Sequence, residues 1–116
     1  MGNDKALLLF HDARIRFLET LGASEKDLGN GNGIILTEAH VQYLKEVFLH
    51  DVLQASVSVS KLSTASFVLD YSFVRMADGA EVIKGYTKIL AYDYERSKVA
   101  RLPDDFANKL KEKDIA

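Results

Sequence analysis

At 116 residues and 12.9 kDa the chain suits one domain, able to bury about two thirds of its unfolded surface. Apolar residues make up 47% and charged residues 28%, with a single proline, which excludes a disordered chain; the net charge of −2, with Lys and Arg scattered, excludes a nucleic-acid surface. Cysteine is absent, so disulfide and thiolate chemistry are excluded and a cytoplasmic location is expected. The longest strictly apolar run, Ala6 to Phe10, falls far short of the roughly 20 residues that cross a bilayer, and the acidic start lacks the basic end of a signal peptide.

From Asn3 to Leu21 the apolar positions Ala6, Leu7, Phe10, Ala13, Phe17, Leu18 and Leu21 recur at helical spacing, predicting a helix with one wide buried stripe. Asn3 suits its N-cap, Asp4 its positive end and Gly22 its C′ position. Ser24 to Asn32, with Gly29, Gly31 and Gly33 around it, reads as a connecting loop. Ile34 to Phe48 then predicts a long strand, bent near Lys45 and Glu46, with Ile35, Thr37, Ala39, Val41 and Tyr43 on one face.

After a turn at His50 and Asp51, Leu53, Ala55, Val57 and Val59 alternate with Gln54, Ser56, Ser58 and Ser60, as in a sheet with one face in water. Phe67, Leu69, Tyr71 and Phe73 repeat the pattern. Asp78 and Gly79 predict a tight hairpin, leading into a strand over Glu81 to Tyr94, and the strands together predict a meander. Pro103, followed by Asp104 and Asp105 and later by Lys109, Lys111 and Lys113, predicts a short C-terminal helix.

Chemistry-bearing motifs are sparse. His11, His40 and His50 lack the spacing of a zinc motif, so no metal is expected. No serine sits in a nucleophile elbow, and His11 reads as a partly exposed helix residue. The glycine cluster leads into a strand instead of a helix, which implies no nucleotide cofactor, and no other cofactor is expected. What remains is the start of the first helix, whose free N–H groups suit a developing negative charge; Asn3 and Asp4 are the only polar side chains there.

The order of elements and several short segments carry a resemblance: Gly2-Asn3 followed by Leu7, Phe10, Ala13 and Arg14; Val41 to Leu44; His50-Asp51; Lys61 to Phe67; Asp78-Gly79; and Arg101-Leu102-Pro103. Over nearly its whole length the chain resembles the α+β hotdog-fold acyl-CoA thioesterases of the 4-hydroxybenzoyl-CoA thioesterase family. The resemblance implies a curved antiparallel sheet wrapped around one long helix, a homodimer or homotetramer, and hydrolysis of acyl-CoA or acyl carrier thioesters at the interface between copies. It places the acyl group near Asn3, as the catalytic helix start, with Tyr43, Lys61, Ser63, Thr64, Ser66 and Phe67 binding substrate: Lys61 facing a phosphate and the hydroxyls facing the pantetheine amides.

The chain departs from the family at Ala6, where tyrosine is usual, and at Glu46, where proline is usual. No residue matches the catalytic aspartate that the family carries on a strand and loop ahead of the helix. Two explanations stand open: a start internal to a longer enzyme, or a degenerate hotdog protein whose sheet edge is protected by another contact. The alternative function is a non-catalytic dimer that binds acyl thioesters or acts as a scaffold; a dehydratase reading finds no matching histidine motif.

Overall fold

The computed structural model describes residues 3–113, with side chains over residues 5–112. Helix α1 (Asn3–Thr20) is followed by strands β1 (Gly33–Tyr43), β2 (Leu53–Ser60), β3 (Ser66–Arg75), β4 (Glu81–Asp93) and β5 (Lys98–Val99), then helix α2 (Asp104–Lys113). The stripe of α1 is what buries it: Ala6, Phe10 and Leu18 have no exposed surface, and Ala13 and Leu21 are buried beside them. Gly22, at φ +71°, ends the helix in a Schellman motif, its N–H meeting the Glu19 carbonyl at 3.0 Å while the Ala23 N–H meets that of Leu18 at 2.9 Å.

All strand pairs are antiparallel, in the order β1-β4-β3-β2, with β5 as a short addition to β4. With α1 and α2 packed on this sheet, the architecture is the α+β hotdog arrangement. Strands β2, β3 and β4 form the expected meander. Strand β1 does not join it beside β2; it crosses to the far side of β4, so β1 and β2 are the two open edges among the described residues. Alternation in sequence tells which face a side chain takes and leaves the neighbouring strand unspecified.

Two features of β1 also differ from the sequence reading. The strand stops at Tyr43, because the Leu44 and Lys45 amides both turn to the Val82 carbonyl and the chain then folds into a turn at 48–51. A bulge at Thr37 moves the register by one between Leu36 and Glu38, so Ile34 and Leu36 share the helix-facing side with Ala39, Val41 and Tyr43, while Ile35 lies on the other side.

The core is filled by rings from three elements. Phe10 of α1 stacks on Tyr71 at 4.4 Å and Phe73 at 5.7 Å, and Phe67 packs on Phe106 of α2 at 5.7 Å. Gly85 makes the first of these possible: a Cβ there would lie 2.9 Å from the Phe10 ring and closer still to the His40 carbonyl. Lys109 of α2 donates to the Leu21 carbonyl at 3.0 Å, fixing α2 at the carboxyl end of α1.

Candidate functional site

Helix α1 has two flanks, and each borders one open sheet edge. On the β2 side, Leu9, Ala13 and Phe17 face Leu53, Val57 and Phe73 across a groove of about 570 Å³. Near the start of the helix this groove runs on past Lys5 to Phe48, His50 and Asp51. Arg75 holds that last loop in place: its guanidinium pairs with Asp51 at 3.3 Å and Asp78 at 2.9 Å and donates to the Glu46 carbonyl.

On the β1 side a polar chain runs from the surface into the core. His11 Nε2 lies 2.8 Å from Glu25 Oε1, and Arg14 Nε donates to Glu25 Oε2 at 2.8 Å. The Arg14 side chain is almost wholly buried and its far end donates to the Tyr71 hydroxyl at 3.3 Å, which in turn pairs with Thr87 Oγ1 at 2.7 Å. Burial pushes the Glu25 carboxyl up, but the hydrogen bonds and charges of Arg14 and His11 outweigh it and hold the group below the ordinary carboxylate range. Burial dominates at Tyr71, pushing its phenol up. Ile34 at the start of β1 donates to the Glu25 carbonyl at 2.9 Å, so the carboxylate is pinned between α1 and the β1 edge.

The residues expected to form the site are not brought together in one protomer. Asn3 opens α1, and its side chain lies outside the described residues. Tyr43 closes β1 on the helix-facing side, about a third exposed. Lys61 is exposed in the turn after β2, at φ +48°. Ser63 and Ser66 bond each other, Oγ to Oγ, at 2.7 Å, and the Thr64 carbonyl accepts from Leu102. Phe67 has no exposed surface and its ring serves the core. Ser63 and Thr64 line a groove with Arg101, Asn108 and Lys111 of the α2 region, which Lys109 ties to the carboxyl end of α1. The 18 residues of α1 span about 27 Å, so this turn and the helix start lie at opposite ends of the protomer.

Glu25 went unseen in the sequence because it sits in a loop fourteen residues from His11 and matches no spaced motif. The one sequence signal was the pair of hydroxyl residues, Tyr71 and Thr87, standing in the apolar faces of β3 and β4. Among the described residues no cluster of three or more His, Asp or Glu side chains has the arrangement of a metal site, and no helix is long and apolar enough to cross a membrane.

Residues 1–110 match the thioesterase-like superfamily. The chain belongs to this superfamily. No curated protein sequence matches it. Solved structures resembling this superfamily member include a Staphylococcus aureus protein in complex with CoA, 18% identical, with a TM-score of 0.87 over 100% of this chain and 75% of that one. The 1,4-dihydroxy-2-naphthoyl-CoA thioesterase from Synechocystis is 16% identical, with a TM-score of 0.84 over 97% of this chain and 83% of that one. A gentisyl-coenzyme A thioesterase is 19% identical, with a TM-score of 0.80 over 95% and 86%. At these identities the likeness speaks for the shared fold.

Proposed function

We propose that the protein hydrolyses acyl-CoA thioesters to the free acid and CoA, at a site completed by a second copy docked along the β1 edge. Membership of the thioesterase-like superfamily over nearly the whole chain carries this reading. The start of α1 supplies the electrophilic half of the chemistry. Its first backbone N–H groups lack intrahelical partners and point along the helix dipole at the place where a carbonyl oxygen would gain charge. Each such donor contributes about 2.7–4 kcal/mol to lowering an acyl-transfer barrier.

The need for a second copy comes from placement. One ligand reaches both a helix start and the Lys61–Ser66 turn only where another protomer, running the opposite way, brings its turn toward the first protomer's α1. Strand β1 offers the surface for this: Thr37 to His40 are exposed on both faces, and Leu36 and Leu7 leave apolar surface beside them. Lys61, Ser63, Thr64 and Ser66 would then meet the phosphates and amides of the CoA arm, with Tyr43 near the acyl group.

Steady-state release of CoA from a panel of aliphatic and aromatic acyl-CoA esters tests the reading. Turnover without added metal or cofactor is expected. Saturable binding of acyl-CoA with no thiol release would instead establish the non-catalytic binding dimer.

A further inference from the structure

His11 stands out because it ends a buried chain of hydrogen bonds with an exposed reactive ring. Both oxygens of Glu25 are engaged, one by His11 and one by Arg14, so the carboxylate has a single orientation. Behind it, Arg14 is 5% exposed and donates to the Tyr71 hydroxyl, which pairs in turn with Thr87, whereas the His11 side chain is 47% exposed. An ionised carboxylate only accepts hydrogen bonds, so His11 Nε2 must be the donor. The lone pair of the neutral ring is thereby left on Nδ1. A surface ion pair for stability alone needs no arginine buried in the core behind it, since taking that charge out of water is costly.

The position of His11 along α1 decides which helix start it can serve. Eight residues separate it from Asn3, about 12 Å of helix rise, too far for an imidazole and its own helix start to act on one carbonyl at hydrogen-bond reach of about 3 Å. Two copies of α1 running antiparallel about a two-fold axis opposite Leu7, midway between the two positions, set each His11 across from the other copy's helix start. Leu7 is 41% exposed on this flank, an apolar surface that its own protomer leaves uncovered.

We propose that His11, oriented by Glu25, is the general base of the site and acts on a thioester bound at the amino end of the partner's α1. The assignment rests on the hydrolase reading above. Nδ1 takes a proton from water as the water oxygen bonds to the thioester carbon, and the carbonyl electron pair moves to oxygen, facing the helix N–H groups. Collapse of that intermediate breaks the C–S bond, and the leaving thiolate takes the proton back from Nδ1. Acid and thiol depart and the neutral ring is restored. His11 is the catalytic residue in this step, while Glu25 and Arg14 are positioning residues.

His11→Ala is expected to lower kcat by about 10² to 10⁴ with KM and oligomer mass unchanged, and added imidazole is expected to restore part of the lost rate. Glu25→Gln is expected to lower kcat by a smaller factor at unchanged KM, with no response to imidazole. A His11→Ala enzyme with wild-type kcat, or one whose loss imidazole does not repair, overturns the assignment. If the wild type turns over no thioester, the hydrolase reading itself fails, and His11 is judged on p-nitrophenyl acetate. Equal rates for wild type and His11→Ala on that ester, or a loss in His11→Ala with none in Glu25→Gln, overturn the assignment of an oriented base, and a loss in both variants upholds it.

Discussion

Gly85 shows how one side chain's absence sets the geometry around α1. Phe10 lies against the β4 backbone only because nothing projects from Gly85, and any Cβ would push on both the Phe10 ring and the His40 carbonyl. Gly85→Ala is expected to cost about 1–3 kcal/mol, read as a lower denaturant midpoint at unchanged m-value. Glu25 contributes to the response to acid. Its folded-state pKa lies below the ordinary value of 4.5, so its pairing stabilises the fold above that value and the contribution is lost as pH falls through the folded-state pKa. Glu25→Gln removes this linkage, and acid titration of its stability should show a shallower decline than the wild type. Tyr71→Phe, which deprives buried Arg14 and Thr87 of a partner, should cost about 1 kcal/mol or more by the same measurement.

Among the elements, the loop between β1 and β2 is defined by Arg75, which reaches Asp51, Asp78 and the Glu46 carbonyl at once. Arg75→Met should release it, and amide exchange at Phe48 and Asp51, whose N–H groups are bonded within the loop, should accelerate while the β3 and β4 amides keep their protection. Helix α1, strands β2 to β4, the Asp78-Gly79 hairpin and α2 were legible in the sequence, because each carries its own periodicity and end signals. The end of β1 was not. Val47 and Phe48 extend its apolar character past Tyr43, and only the capture of two amides by Val82 stops the strand. The bulge at Thr37 was equally hidden, since a register shift depends on the opposing strand. The same limit applies to the candidate base. His11 was visible as a residue, but its relation to Glu25 is created when the loop folds back along α1, which no local pattern encodes.

For the whole molecule, the sheet has two open edges of different character. Strand β2 carries no charged residue, whereas β1 carries Glu38 and His40 and a bulge beside the flank that holds Leu7, His11 and Glu25. Pairing along β1 would bury the apolar surface of Leu7 and Leu36 and bring two helix starts to two imidazoles. In the proposed arrangement activity is a property of the pair of chains, with neither protomer sufficient alone. Leu7→Asp, which places a charge at the proposed two-fold, should weaken association without disturbing the core, because Leu7 projects outward.

The most direct test is specific activity toward acyl-CoA, measured over a dilution series for wild type and Leu7→Asp, alongside the mass of each by sedimentation at the same concentrations. Activity per chain should follow the dimer fraction in both proteins, falling as monomer accumulates. A monomer that hydrolyses acyl-CoA at the full rate of the dimer would contradict the account.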